Sequence, residues 1–176
     1  STFNLTITTG EYGTFFTILC LLLFINSLNM IDGINGLFLG VNIIYFLYLI
    51  PIHGDNIVFL FSIITILLIL FYYNYLDQFF TGDSGVYLIS SIYGLLLIET
   101  YNYNLNFSNF INIEEIFLLL MIPGLDMFRL FLERIFNKKN PFKPDRNHFH
   151  HLLKKKFSDN HTLIIYLLLV SLGPLF

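Results

Sequence analysis

Charge is what this sequence has least of. Only 12% of its 176 residues are Asp, Glu, Lys or Arg, and the first 128 contain no Lys or Arg at all. Tryptophan is absent, and the one cysteine is Cys20, inside an apolar block. A single thiol excludes an internal disulfide and a cysteine metal site, so Cys20 is expected to serve packing. No basic group occurs in the first twelve residues, which argues against a secretory signal with a charged leading region. No nucleic-acid partner is expected. Phe (21) and Tyr (11) are abundant, but a genome rich in A and T codons explains that as well as any function does.

What is present is apolar. Hydrophobic residues make up 56% of the chain and the mean hydropathy is +0.71, too high for a soluble domain of this size. Apolar blocks recur at residues 14–28, 37–52, 57–76, 86–98, 113–132 and 162–176. Those at 57–76 and 113–132 approach the roughly 20 helical residues that cross about 30 Å of hydrocarbon. The shorter ones must extend through neighbouring polar motifs or lie recessed. The expected fold is all-α, a polytopic transmembrane helical bundle with about six membrane segments. Ser1 is not a start methionine and "YLLLVSLGPLF" ends inside an apolar stretch, so the chain is expected to be a single membrane domain, 1–176, cut from a longer protein.

The nine basic residues all lie between Arg129 and Lys156. By the positive-inside bias, the loop at 133–160 is expected on the cytoplasmic side. Counting spans backwards puts "LDQFFTGDSG" (76–85) and the stretch around "NMIDGING" (29–36) on that same face, and "PIHGD" (51–55) and 100–112 on the opposite one. Three polar clusters should therefore meet.

Each cluster carries groups that a membrane ordinarily excludes. An aspartate at the centre of a membrane helix costs roughly 2.5–3.5 kcal/mol on insertion scales. Asp32 and Asp83 sit at segment ends, where the cost is lower. Their company is more telling. Asn26, Asn29 and Asp32 recur every three residues, the spacing of one helix face, while Gly33 and Gly36 permit close backbone approach or a break. "TGDSG" again sets an Asp between glycines. In "NPFKPDRNHFHHLL" (140–153) the prolines forbid a continuing helix, and Asp145 is expected to N-cap a short one. His148, His150 and His151 could bind a metal, donate hydrogen bonds to phosphate or shuttle protons. Carboxylates alone would repel a phosphate, by roughly 3 kcal/mol for unit charges about 5 Å apart at an effective dielectric of 20. A divalent cation reverses that sign, and oxygen ligands suit Mg²⁺ or Mn²⁺. Arg146 and the histidines would then hold outer phosphate oxygens. The pattern points to metal-assisted phosphoryl transfer at a membrane face.

Taken together, "NSLNMIDGINGL", "GDSG", "PGLDMFR" and "PFKPDRNHFHHLL" resemble, in order and spacing, the polyprenyl-phosphate N-acetylhexosamine-1-phosphate transferases (WecA/MraY superfamily). The resemblance implies Mg²⁺-dependent transfer of a sugar-1-phosphate from a UDP-N-acetylhexosamine to a polyprenyl phosphate such as undecaprenyl phosphate, releasing UMP. It implies a bacterial cytoplasmic membrane with the site on the cytoplasmic face, and it allows a homodimer. It assigns Asp83 to the metal, Asp32, His148, His150 and His151 to catalysis, and Asn29, Asn35, Asp145 and Arg146 to substrate binding. Asp126 matches an aspartate that follows a proline in that family, or else pairs with Arg129 one turn along. The split "HFHH" resembles the N-acetylglucosamine-type branch more than the peptidoglycan translocase.

Two features depart from the family pattern. Asn35 stands where the family often has a second aspartate, and no counterpart of its paired aspartates occurs. Glu114 and Glu115 are the one adjacent acidic pair, and they fall on the opposite face. Two other readings compete: an ion or metal transporter that uses the membrane acids and histidines, and a non-catalytic membrane scaffold.

Overall fold

A computed structural model describes residues 12–52, 56–104, 111, 113–138, 140 and 147–173. These residues form an all-α bundle: α1 (Gly13–Ile31), α2 (Leu37–Leu49), α3 (Ile57–Tyr75), α4 (Gly82–Asn104), α5 (Ile113–Phe136), the short α6 (Phe149–Lys154) and α7 (Asp159–Leu172). Each apolar block becomes a helix. The short blocks at 14–28 and 86–98 grow through the polar motifs beside them, since α1 takes in Asn26 and Asn29, and α4 begins at Gly82 and takes in Asp83.

Among the described residues, three helices are long and apolar enough to cross a membrane: α1, α3 and α4, the last counted to Asn102. Apolar residues dominate their outer faces, for example Phe15 and Ile18 on α1 and Val58 and Ile66 on α3. Such a surface is stable only against lipid or another apolar partner, so the bundle is a multi-pass membrane structure. α5 has 24 residues but carries Glu114, Glu115, Asp126, Arg129, Glu133 and Arg134 along its length. α2 and α7 are apolar but shorter.

The core lies where α2 is enclosed by its neighbours. α1 packs on α4 and α5, α2 on α3, α4 and α7, and α5 on α7. Phe24, Tyr45, Phe46 and Tyr93 form its aromatic centre, with Tyr45 and Tyr93 stacked at 5.0 Å. The chain contains no alanine, so close helix approach falls to glycine. At Gly94 of α4 a Cβ would meet Leu21 and Phe24 of α1, and at Gly40 of α2 it would meet Leu167 of α7 at 2.9 Å. Cys20 does not serve the core as expected. It is exposed on the outer side of α1, beside a groove shared with α4 and α5.

A proline inside α5 is tolerated for an identifiable reason. Pro123 has no N–H to give the carbonyl of Leu119 four residues earlier. That carbonyl instead accepts a hydrogen bond from the buried Tyr45 hydroxyl of α2, at 3.1 Å. A few residues on, Tyr48 Oη donates to Glu115 Oε2 at 2.9 Å. These two bonds tie the later part of α2 to the early part of α5, away from the polar motifs.

Candidate functional site

The three polar clusters predicted to meet do meet, at one end of the bundle. Asp32 ends α1, its N–H directed to the carbonyl of Asn29 at 3.4 Å. Asn29 is half-buried in the last turn. At Gly36 the chain adopts φ +78°, a conformation open to glycine at little cost, and reverses into α2. Asn74, at the end of α3, secures the reversal. Its Oδ1 accepts the Gly36 N–H at 2.5 Å and its Nδ2 donates to the Phe79 carbonyl at 2.8 Å. A buried amide is costly unless bonded on both sides, and Asn74 satisfies that condition by joining the turn after α1 to the segment entering α4.

α4 starts at Gly82 and places Asp83, exposed, in its first turn. Asp32 senses it. Burial chiefly, and the charge of Asp83 secondarily, push the Asp32 carboxyl up to about 6. A carboxyl held up in part by a neighbouring carboxylate is one that a nearby cation would relieve. Among the described residues no group of three or more His, Cys, Asp or Glu side chains gathers closely enough to hold a metal alone. Asp32 and Asp83 are oxygen donors of the kind that hard divalent cations accept alongside water.

Asn35 points elsewhere. Its Nδ2 donates to Asp77 Oδ1, and both residues line a polar cavity of about 330 Å³ with Gly33, Tyr75, Lys154 and Asp159. This accounts for the amide at position 35. An aspartate there would set two carboxylates in contact.

The histidine segment is held by α5. Asp126, 6% exposed, accepts the Phe149 N–H at 3.0 Å on each carboxylate oxygen and lies 3.3 Å from His148 Nδ1. Arg129 Nη2 donates to Asp126 Oδ1 at 2.8 Å and to the Asn147 carbonyl at 2.6 Å. Asp126 pairs with Arg129, as one reading of it expected, and also anchors the start of the histidine segment. It also corrects the expected cap. The N-cap position of α6 is His148 rather than Asp145, and the amide of the first helical residue is taken by a carboxylate from another helix. Asp145 and Arg146 lie outside the described residues.

The three histidines differ in their surroundings. His148 contacts Asp126, His150 is 1% exposed, and His151 is half-buried. The rings of His148 and His150 are parallel to within 2° at 5.8 Å, and those of His150 and His151 are 4.1 Å apart. Burial, reinforced by the neighbouring histidines, pulls His150 down to about 3, so it is neutral at physiological pH.

Two residues in this arrangement escaped the sequence reading, Asn74 and Asp77. Asn74 had a legible signal, a lone amide near the end of the most apolar helix, where a polar side chain needs a reason. Asp77 had none, since its role depends on Asn35, 42 residues away.

No solved structure gives a significant match. The curated undecaprenyl-phosphate alpha-N-acetylglucosaminyl 1-phosphate transferase of Thermotoga maritima is 29% identical over 153 residues, which cover 86% of this chain and 46% of that protein. The chain thus spans about half the length of the curated relative it matches. Residues 1–101, which include the α1–α2 turn, Asn74 and Asp83, match the family model described as glycosyl transferase family 4, and the chain belongs to that family.

Proposed function

We propose that this chain is the C-terminal part of a transferase that moves a sugar-1-phosphate, N-acetylglucosamine-1-phosphate, from a UDP-sugar to a polyprenyl phosphate such as undecaprenyl phosphate. An oxygen of the lipid phosphate forms a bond to the β-phosphorus of the UDP-sugar. The bond from that phosphorus to the bridging oxygen breaks, and UMP leaves with that oxygen. The observation that carries this reading is the meeting of Asp32, Asp83 and the histidine segment at one end of a membrane bundle.

Asp83, with Asp32 beside it, would hold Mg²⁺, and Mn²⁺ would serve in its place. Bound there, the ion screens the diphosphate from the carboxylates and stabilises the charge that develops on it. Asn29 and Asn35 are assigned to the nucleotide sugar, Arg146 and Asp145 to the same substrate from the basic loop at 133–160, and His148 and His151 to the donor's phosphates, with His150 seated between them. The nine basic residues favour a cytoplasmic position for this end of the bundle, and about six membrane segments in a bacterial inner membrane complete the proposal. The paired aspartates that the family carries on an earlier loop would come from the rest of the protein, so this chain alone is expected to be inactive.

The test is Mg²⁺-dependent UMP release from UDP-N-acetylglucosamine and undecaprenyl phosphate by the complete protein in membranes. Asp83→Ala should lower kcat by at least a thousandfold, whereas full activity in that variant would overturn the assignment. The transporter reading predicts metal flux in vesicles without any UDP-sugar. The scaffold reading predicts no UMP release at all.

A further inference from the structure

We propose that Gly33 is a positioning residue: its missing side chain makes the seat into which His150 fits, and that contact fixes the histidine segment against the acid at position 32. A Cβ built on Gly33 would overlap His150 Nε2 and lie 3.1 Å and 3.3 Å from Cε1 and Cδ2. An imidazole side chain that is buried usually keeps at least one nitrogen bonded. His150 is 1% exposed, and neither ring nitrogen has a hydrogen-bond partner among the described residues. The ring is seated against the bare backbone of Gly33.

The segment is consequently fixed at two points of different character. Asp126 grips it through His148 and the Phe149 amide, and Gly33 receives it through His150. Since His150 rests on both neighbouring imidazoles, a methyl group at position 33 would shift all three rings relative to Asp32. His150 then acts through its fit rather than by touching substrate, a role distinct from those of His148 and His151. Its catalytic consequence rests on the function proposed above, but the contact itself does not.

The experiment is diethyl pyrocarbonate labelling of the complete protein in detergent, without sugar nucleotide, with each modified histidine located by mass spectrometry. His150 should react at least tenfold more slowly than the exposed His161, and Gly33→Ala should abolish that difference. Equal reactivity in the unmodified protein, or unchanged protection in Gly33→Ala, overturns the proposal. If Gly33→Ala does not fold, the double variant Gly33→Ala/His150→Gly should, because it removes the overlap; failure of both overturns it too. In the UMP assay, Gly33→Ala should lower kcat at least tenfold and the double variant should regain most of that loss. A double variant as slow as the single one would mean that His150 itself contacts substrate, which also overturns the positioning role. Absence of UMP release from the unmodified protein would count against the proposed function and leave the labelling result to decide this one.

Discussion

Burial acts on Asp32 and His150 in opposite senses. Asp32 is raised from about 3.8 to about 6, so it favours the folded state when protonated, a contribution fully present below pH 3.8 and lost as pH rises through 6. His150 is lowered from about 6.5 to about 3, so its contribution is complete above pH 6.5 and shrinks as pH falls toward 3. Between pH 6.5 and 4 the two oppose each other. His150→Gln should therefore gain thermal stability on acidification from pH 7 to 5, and Asp32→Asn should lose it. Circular-dichroism melts of the two variants should show slopes of opposite sign, and parallel slopes would refute the account. Position 35 offers a second test. Asn35→Asp would oppose Asp77 at exposed positions and should destabilise by about 0.5 kcal/mol at pH 7, with Asn35→Asp/Asp77→Asn restoring the midpoint. The glycines show how much of this was legible. Their presence announced close approach or a break, and the structure uses Gly33 for the first and Gly36 for the second. Which did which depended on His150 and Asn74, and neither is near in sequence.

Helices in this bundle complete one another's backbones. Leu119, left without its helical donor by Pro123, is satisfied by α2, and the first amide of α6 is satisfied by α5. In a membrane interior an unpaired carbonyl finds no water, so such repairs are obligatory. Tyr45→Phe should cost about 2 kcal/mol by leaving that carbonyl bare. Pro123→Ala alone should gain little, because it frees the Tyr45 hydroxyl in the core. The pair together should lie near the starting stability, as a double-mutant cycle of unfolding in detergent would reveal. Asp126→Ala removes the acceptor of the Phe149 amide and the partner of Arg129 and His148. It should destabilise by about 3 kcal/mol and let the Phe149 amide exchange with solvent, as hydrogen–deuterium exchange would report. Periodicity and proline placement revealed that these helices exist. They could not reveal such bonds, since Tyr45 and Leu119 are 74 residues apart.

At the scale of the whole molecule, six apolar blocks were readable and became six helices, because burial of apolar surface dominates in a chain with so little charge. Their ends were less readable, because α1 and α4 run into polar motifs that composition alone marks as loops. The site draws on distant parts of the molecule: the turn at 32–36 is made more than a hundred residues before the segment that seats on Gly33. During synthesis, Asp32 and Asp83 can take their places as soon as α4 is inserted, but the histidines reach them only after residue 150 has left the ribosome. Asp32 and Asp83 thus wait while more than forty further residues are added. Order of translation becomes order of assembly, and a chain halted before Phe149 would carry Asp32 and Asp83 without the imidazole that packs against Gly33.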